Sequence, residues 1–181
     1  MKYKSSSTII LVGMMGAGKS SIGRLLSIKL KKKFLDLDIE IEKAQNLNIS
    51  EIFERFGEEY FRNVEVEMIS KILNKKKNII LSLGGGAYNK KTNFINKKGL
   101  TIWLDASFEV LYQRLKNNIR SRPLLKNKEL FSELNELIKK REKDYKLAEI
   151  RINVDELNIN EIVDIIIKKI NNRYKNDQSH N

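Results

Sequence analysis

The chain predicts an α/β fold of three layers, with helices on both faces of a five-stranded parallel sheet. Three observations lead there. Five short runs, residues 8–12, 33–35, 78–83, 100–104 and 150–154, are apolar enough to be strands buried on both faces. Between them apolar residues recur at helical spacing, so strands and helices alternate, and parallel strands need such crossovers. The first run also turns, through a glycine-rich segment, directly into a helix.

In chain order, Thr8-Ile9-Ile10-Leu11-Val12 is followed by Gly13-Met14-Met15-Gly16-Ala17-Gly18-Lys19-Ser20 and then by Ile22, Leu25, Leu26 and Leu30, the stripe of a helix laid on a sheet. The second strand ends in Asp36-Leu37-Asp38. A helical region over residues 50–73 carries Ile52, Phe53, Phe56, Phe61, Val64, Met68 and Ile72, with Gly57 expected to divide it in two. The third strand runs out into Gly84-Gly85-Gly86. After the fourth, Phe108, Leu111, Tyr112 and Leu115 make one helix face, and Leu130, Leu134, Leu137, Ile138 and Tyr145 make another. Between these two helices, residues 117–128 are basic and polar around the only proline, Pro123, and read as a mobile lid. Ile162, Ile165, Ile166 and Ile170 complete the last helix, beyond which the chain turns polar from Asn171. One domain is expected over residues 1–175, with a substrate-binding region at about 38–73 inserted after the second strand and a disordered tail at 176–181.

Composition narrows the classes. At 181 residues and 41% hydrophobic content, the chain can bury a full core without staples. It has no cysteine, which excludes disulfides, thiolate catalysis and Cys-type zinc sites. No stretch is long and apolar enough to span a membrane, and Met1-Lys2-Tyr3-Lys4-Ser5-Ser6-Ser7 carries no cleavable apolar region, so a cytoplasmic protein is expected. The formal charge of +12 raises the question of nucleic acid. Yet the lysines cluster at Lys31-Lys32-Lys33, Lys75-Lys76-Lys77 and Lys97-Lys98, where helices should end and where cations suit the dipole, so no nucleic-acid partner is expected. No apolar helix face is left uncommitted, and a monomer is the expectation.

The glycine-rich segment carries the chemistry. It fits G-x-x-x-x-G-K-S behind a strand and before a helix, a P-loop in which close backbone N–H groups cradle phosphates. Lys19 can reach the β- and γ-phosphates, and Ser20 can ligate Mg²⁺. Asp36 and Asp38 should face the same side if the segment is extended, one serving the Mg²⁺ shell and the other acting as general base. The pair would equally serve as an N-cap for a helix beginning near Ile39. Gly84-Gly85-Gly86 lets a ligand lie against bare backbone, or simply makes a tight strand exit. Arg62, with Glu65 three residues on, and Arg141 suit an anionic acceptor if they converge, whereas singly they suit surface ion pairs; Arg114, Arg120 and Arg122 lie in or beside the lid. The only histidine, His180, is far from all of this.

Taken together, residues 13–20, the Phe34-Leu35-Asp36-Leu37-Asp38 turn, Phe56-Gly57-Glu58 with Phe61-Arg62 and Glu65, Leu81-Ser82-Leu83-Gly84-Gly85-Gly86, Arg122-Pro123-Leu124-Leu125, and Arg141 before Tyr145 resemble the shikimate kinase family of P-loop kinases over residues 8–154. The resemblance implies ATP-dependent phosphorylation of the 3-hydroxyl of shikimate, within chorismate and aromatic amino-acid biosynthesis. It implies a nucleotide site at Gly13, Gly16, Ala17, Gly18, Lys19, Ser20, Ser21, Arg114 and Arg122. Mg²⁺ would lie on Ser20 and, through water, on Asp36. The acceptor would be held by Asp38, Phe53, Phe61, Arg62, Gly84, Gly85, Gly86 and Arg141, and Lys19, Asp38 and Arg122 would be catalytic. Ser21 stands where many relatives carry threonine, Lys126-Asn127-Lys128 makes the lid polar, and residues 155–160 match no adenine-side pattern. A gluconate-type kinase shares the P-loop but is not expected to combine Asp36, Asp38, Arg62, Gly84–Gly86 and Arg141. A nucleoside monophosphate kinase would need a base-binding segment that is not evident here. A non-catalytic NTP-binding regulator would not need Lys19, Asp38 and Arg122 together.

Overall fold

A computed structural model describes residues 7–88, 92–116 and 130–179, the last six of these by backbone alone. The expected lid, with Arg120, Arg122 and Pro123, lies outside them.

The five strands, β1 (Ile9–Val12), β2 (Lys33–Asp36), β3 (Ile79–Ser82), β4 (Leu100–Asp105) and β5 (Ile150–Asn153), form one parallel sheet in the order β2-β3-β1-β4-β5. All five runs foreseen from apolarity are strands, each within a residue or two of its expected bounds. From β1 the chain winds first to one side and then to the other. The crevice beyond the carboxyl ends of the strands therefore opens beside β1, where such sheets bind ligands. The three inner strands are buried on both faces, but the edges are not: in β5, Ile150 and Ile152 are buried while Arg151 and Asn153 are exposed. An edge strand has one face less completely covered and reverts to alternation, which corrects the expectation of two-sided burial for all five.

The helices are α1 (Lys19–Leu30), α2 (Leu37–Gln45), α3 (Ile49–Lys75), α4 (Thr92–Lys98), α5 (Phe108–Lys116), α6 (Leu130–Tyr145) and α7 (Ile159–Ser179). Helix α1 buries Ile22 and Leu26 completely against the sheet, with Leu25 and Leu30 packed beside them. Helix α2 begins at Leu37 and not near Ile39, because Asp36 is its N-cap and accepts a hydrogen bond from the Asp38 N–H. Helix α3 opens with a capping box, in which Asn48 Oδ1 accepts from the Glu51 N–H and Glu51 Oε2 from the Asn48 N–H. It breaks at Gly57 (φ 80°, ψ 174°), a conformation that residues with a Cβ avoid. Helix α4 is too short to show a stripe, and only the lysine pair at its end anticipated it. Helix α7 continues through the polar segment from Asn171 as far as Ser179, beyond the expected domain boundary, and Arg173 on it pairs with Glu149.

Lys32 departs from its solvated neighbours. It is buried, and its Nζ donates to the Ser7 carbonyl (2.7 Å) and to Asn78 Oδ1, tying together the amino-terminal ends of β1 and β3. No helix among the described residues is long and apolar enough to cross a membrane.

Candidate active site

At the carboxyl end of β1 a cavity of about 640 Å³ opens between the P-loop, α2, α3, the exit of β3, α5, α6 and the start of α7. It gathers side chains that lie far apart in the chain, and it has two halves.

The phosphate half is built on the strand-to-helix turn. Gly16, Ala17, Gly18, Lys19, Ser20 and Ser21 line it, and Gly18 holds φ 90° where α1 begins. Gly13 does not line the cavity. Its φ is 139°, and a Cβ there would sit 2.5 Å from the Leu104 carbonyl oxygen, so this glycine lets the loop pass close over β4. Lys19 Nζ donates to the carbonyls of Gly13 (2.7 Å) and Met14 (2.9 Å), which holds the ammonium over the loop. Ser20 Oγ donates to Asp36 Oδ2 at 2.5 Å, while Asp36 Oδ1 accepts from the Asp38 N–H at 3.2 Å. Asp36 and Asp38 thus both reach the cavity, but through an N-cap and the first turn of α2 and not by alternation along a strand. The two readings offered by the sequence, cap and ligand, coincide in one residue.

The other half, where the acceptor is expected, is organised by the three glycines after β3, which make room for charged side chains. A Cβ on Gly84 would lie 2.7 Å from Glu65 Oε1 and 3.0 Å from Asp38 Oδ1. One on Gly85 would lie 3.1 Å from Arg141 Nη1, and one on Gly86 would lie 3.0 Å from Arg62 Nη1. The run of glycine is accounted for by this close approach, where a turn alone would need fewer.

Asp38 opens onto the cavity, so its carboxylate keeps contact with solvent, yet the surrounding walls exclude much of it. That desolvation, reinforced by the negative charges of Asp36 and Glu65 and only partly offset by Lys19, raises its pKa to about 6. Arg62 Nη1 donates to Glu65 Oε2 (2.8 Å), and its Nε and Nη2 donate to Glu58 Oε1 (3.2 Å each). Burial opposes its charge, but these two carboxylates hold it above its ordinary pKa. Arg141 is only 6% exposed and has no acidic partner among the described residues; its Nη1 reaches Met14 Sδ at 4.0 Å. A guanidinium so placed, beside an open cavity, favours an anion there. Phe53 and Phe61 stand 4.8 Å apart between ring centroids and make the apolar wall.

On the side where nucleotide is expected, Arg114 lines the cavity and its Nη1 donates to the Gly16 carbonyl at 3.1 Å. Leu157 and Ile159, from the segment that matched no adenine-side pattern, and Ile162, from the stripe of α7, supply an apolar surface. The expected Arg122 is outside the described residues. Glu65 and Tyr145 stand in the motifs that carry the resemblance, but the sequence gives Glu65 only a supporting role beside Arg62 and gives Tyr145 no role at the site. Glu65 is 2% exposed and lines the cavity, while Tyr145 donates its hydroxyl hydrogen bond to the Gly85 carbonyl. The four-residue spacing from Arg141 to Tyr145, which puts both on one face of α6, was the available signal.

Comparison with known proteins gives a consistent set of relatives. The family model for shikimate kinase matches residues 15–171. A shikimate kinase of Sulfurihydrogenibium sp. is 41% identical over 167 residues, covering 91% of this chain and 98% of that protein. One of Bacillus subtilis is 38% identical, covering 90% and 88%. Among solved structures, shikimate kinase from Acinetobacter baumannii in complex with shikimate superposes with a TM-score of 0.88 at 32% identity, covering 92% of this chain and 94% of that one. A gluconokinase from Sinorhizobium meliloti, at 14% identity and a TM-score of 0.54, shares the fold alone.

Proposed function

The chain belongs to the shikimate kinase family, and from that premise we propose that its cavity binds MgATP and shikimate and transfers the γ-phosphoryl group to the 3-hydroxyl, giving shikimate 3-phosphate and ADP. The observation that carries this reading is the glycine run: at successive residues it admits a carboxylate suited to act as base and two arginines suited to a carboxylate ligand.

In this reading Asp38 accepts the proton of the acceptor hydroxyl as the oxygen–phosphorus bond forms and the bond from the γ-phosphorus to the leaving oxygen of ADP breaks. A loose phosphoryl-transfer transition state asks mostly for positioning and charge neutralisation, so the base is needed late. A pKa near 6 leaves Asp38 ionised at neutral pH while making it a better proton acceptor than an ordinary carboxylate. Lys19 and the N–H groups of Gly16, Gly18 and Ser20 take the phosphates, and Arg122 would add its charge from the lid. Arg141 and Arg62 grip the acceptor carboxylate, with Phe53 and Phe61 against the ring. Ser20 Oγ and, through water, Asp36 Oδ2 are the hard oxygen donors that would hold Mg²⁺ beside the phosphates, where it would supply charge neutralisation.

ADP formation from MgATP, followed with shikimate, with gluconate and with no acceptor, tests the proposal. It predicts release that depends on shikimate. Equal release in all three, or release with gluconate alone, overturns it.

A further inference from the structure

We infer that the phenol hydroxyl of Tyr145 is a positioning group for the acceptor pocket, holding the Gly85 backbone and the Arg141 guanidinium in register; the inference rests on the proposed acceptor reading. Tyr145 is 3% exposed and lies one helical turn after Arg141 on the same face of α6. Its hydroxyl donates to the Gly85 carbonyl, in the middle of the glycine run, and lies 3.7 Å from Met14 Sδ. Arg141 Nη1 reaches the same sulfur at 4.0 Å, and lies 3.1 Å from where a Cβ of Gly85 would be. Tyr145, Met14, Arg141 and Gly85 therefore close a ring of contacts. It joins α6 to the exits of β1 and β3, the two strand ends that carry the phosphate and acceptor halves of the cavity.

The ring of Tyr145 is not held by packing on every side. It lies tilted against Trp103 (5.9 Å between centroids) and stacks more distantly on Tyr88 (6.5 Å), contacts a phenylalanine would keep. On another flank lies a second cavity of about 210 Å³, lined in part by Met14, Trp103, Phe108, Ile138 and Tyr145 itself. With open space beside it, the ring is registered by its hydroxyl, and a core aromatic there for burial alone would have no need of one.

Steady-state kinetics of Tyr145→Phe, run beside the wild type and Trp103→Phe, test this. Tyr145→Phe should raise the shikimate KM about tenfold, with kcat and the ATP KM within about twofold of wild type, as expected for loss of one buried hydrogen bond on the acceptor side. Trp103→Phe, which loosens the same aromatic contact but spares the hydroxyl, should lower the melting temperature and leave the shikimate KM unchanged. An unchanged shikimate KM in Tyr145→Phe overturns the inference, as does an equal rise in Trp103→Phe or a parallel rise in the ATP KM. If Tyr145→Phe does not fold, Met14→Leu removes the shared sulfur at similar volume. A shikimate KM about threefold higher supports the inference, and an unchanged one overturns it. A wild type that ignores shikimate defeats the proposed function and this inference together, whereas an active wild type matched by Tyr145→Phe defeats only this inference.

Discussion

Asp38 and the two arginines illustrate how environment sets the role of a residue type. Because burial and two neighbouring carboxylates raise the Asp38 pKa to about 6, kcat/KM for the acceptor should fall with a slope of one proton below that pH, and a profile flat to pH 4 would rule out Asp38 as the base. Asp38→Asn should lower kcat by roughly 10²–10⁴-fold with ATP binding nearly intact. The same shift has a consequence for stability. A carboxyl group whose folded pKa is raised stabilises in its protonated form, and that contribution is lost as pH rises from 3.8 through about 6. Asp38→Asn should therefore raise the melting temperature at pH 8 and not at pH 3.5. Arg62 and Arg141 should separate in the same way. Arg141→Ala is expected to raise the shikimate KM by an amount equivalent to about 2–4 kcal/mol and to cost less stability than Arg62→Ala, since no acidic group among the described residues depends on it. Arg62→Ala removes the guanidinium paired with a Glu65 that is 2% exposed, and should cost stability as well, on the order of 3–5 kcal/mol. Equal melting temperatures for the two variants would contradict the assignment.

At the scale of elements, each strand was legible because β-runs between helical stripes have few alternative readings, and Gly57 was legible as a break because glycine interrupts an otherwise continuous stripe. What was not legible depended on long-range geometry. Alternation wrongly suggested how Asp36 and Asp38 share the cavity, since the cap that starts α2 is decided by the turn itself. Nothing local to Gly84–Gly86 shows that Glu65, Arg141 and Arg62 fill the space a Cβ would need, because those side chains arrive from α3 and α6. Helix α4 is too short for a stripe and is signalled only by the lysines at its end. Two substitutions test the element-level account. Gly57→Ala meets no atom within 4 Å, so its cost should be conformational, about 1–3 kcal/mol in denaturant unfolding. A wild-type midpoint would mean that α3 does not need its break. Gly84→Ala presses on Glu65 and Asp38 and should lower kcat, whereas Gly86→Ala presses on Arg62 and should raise the shikimate KM. Interchanged effects would contradict the placement of base and clamp.

For the whole molecule, the P-loop motif alone discloses a phosphate site, and the ordered set of motifs discloses the family; convergence of the arginines is visible only where α3 and α6 bring them to the glycines after β3. The two halves of the cavity lie at the carboxyl ends of the strands of one sheet, so ligands that fill them should stabilise the entire fold, by about 2.7 kcal/mol at a hundred times Kd. The stabilisation by shikimate should disappear in Arg141→Ala while that by MgATP remains. In the proposed function the arginine pair reads the carboxylate of the acceptor opposite the P-loop. The most direct test of this is kcat/KM for shikimate against its methyl ester, at the same MgATP concentration. The account predicts that the ester loses at least about thirtyfold with the ATP KM unchanged, as expected for loss of a charge-assisted pair on a buried guanidinium. Equal turnover of acid and ester would show that Arg62 and Arg141 do not grip the carboxylate, and the proposed acceptor geometry would be wrong.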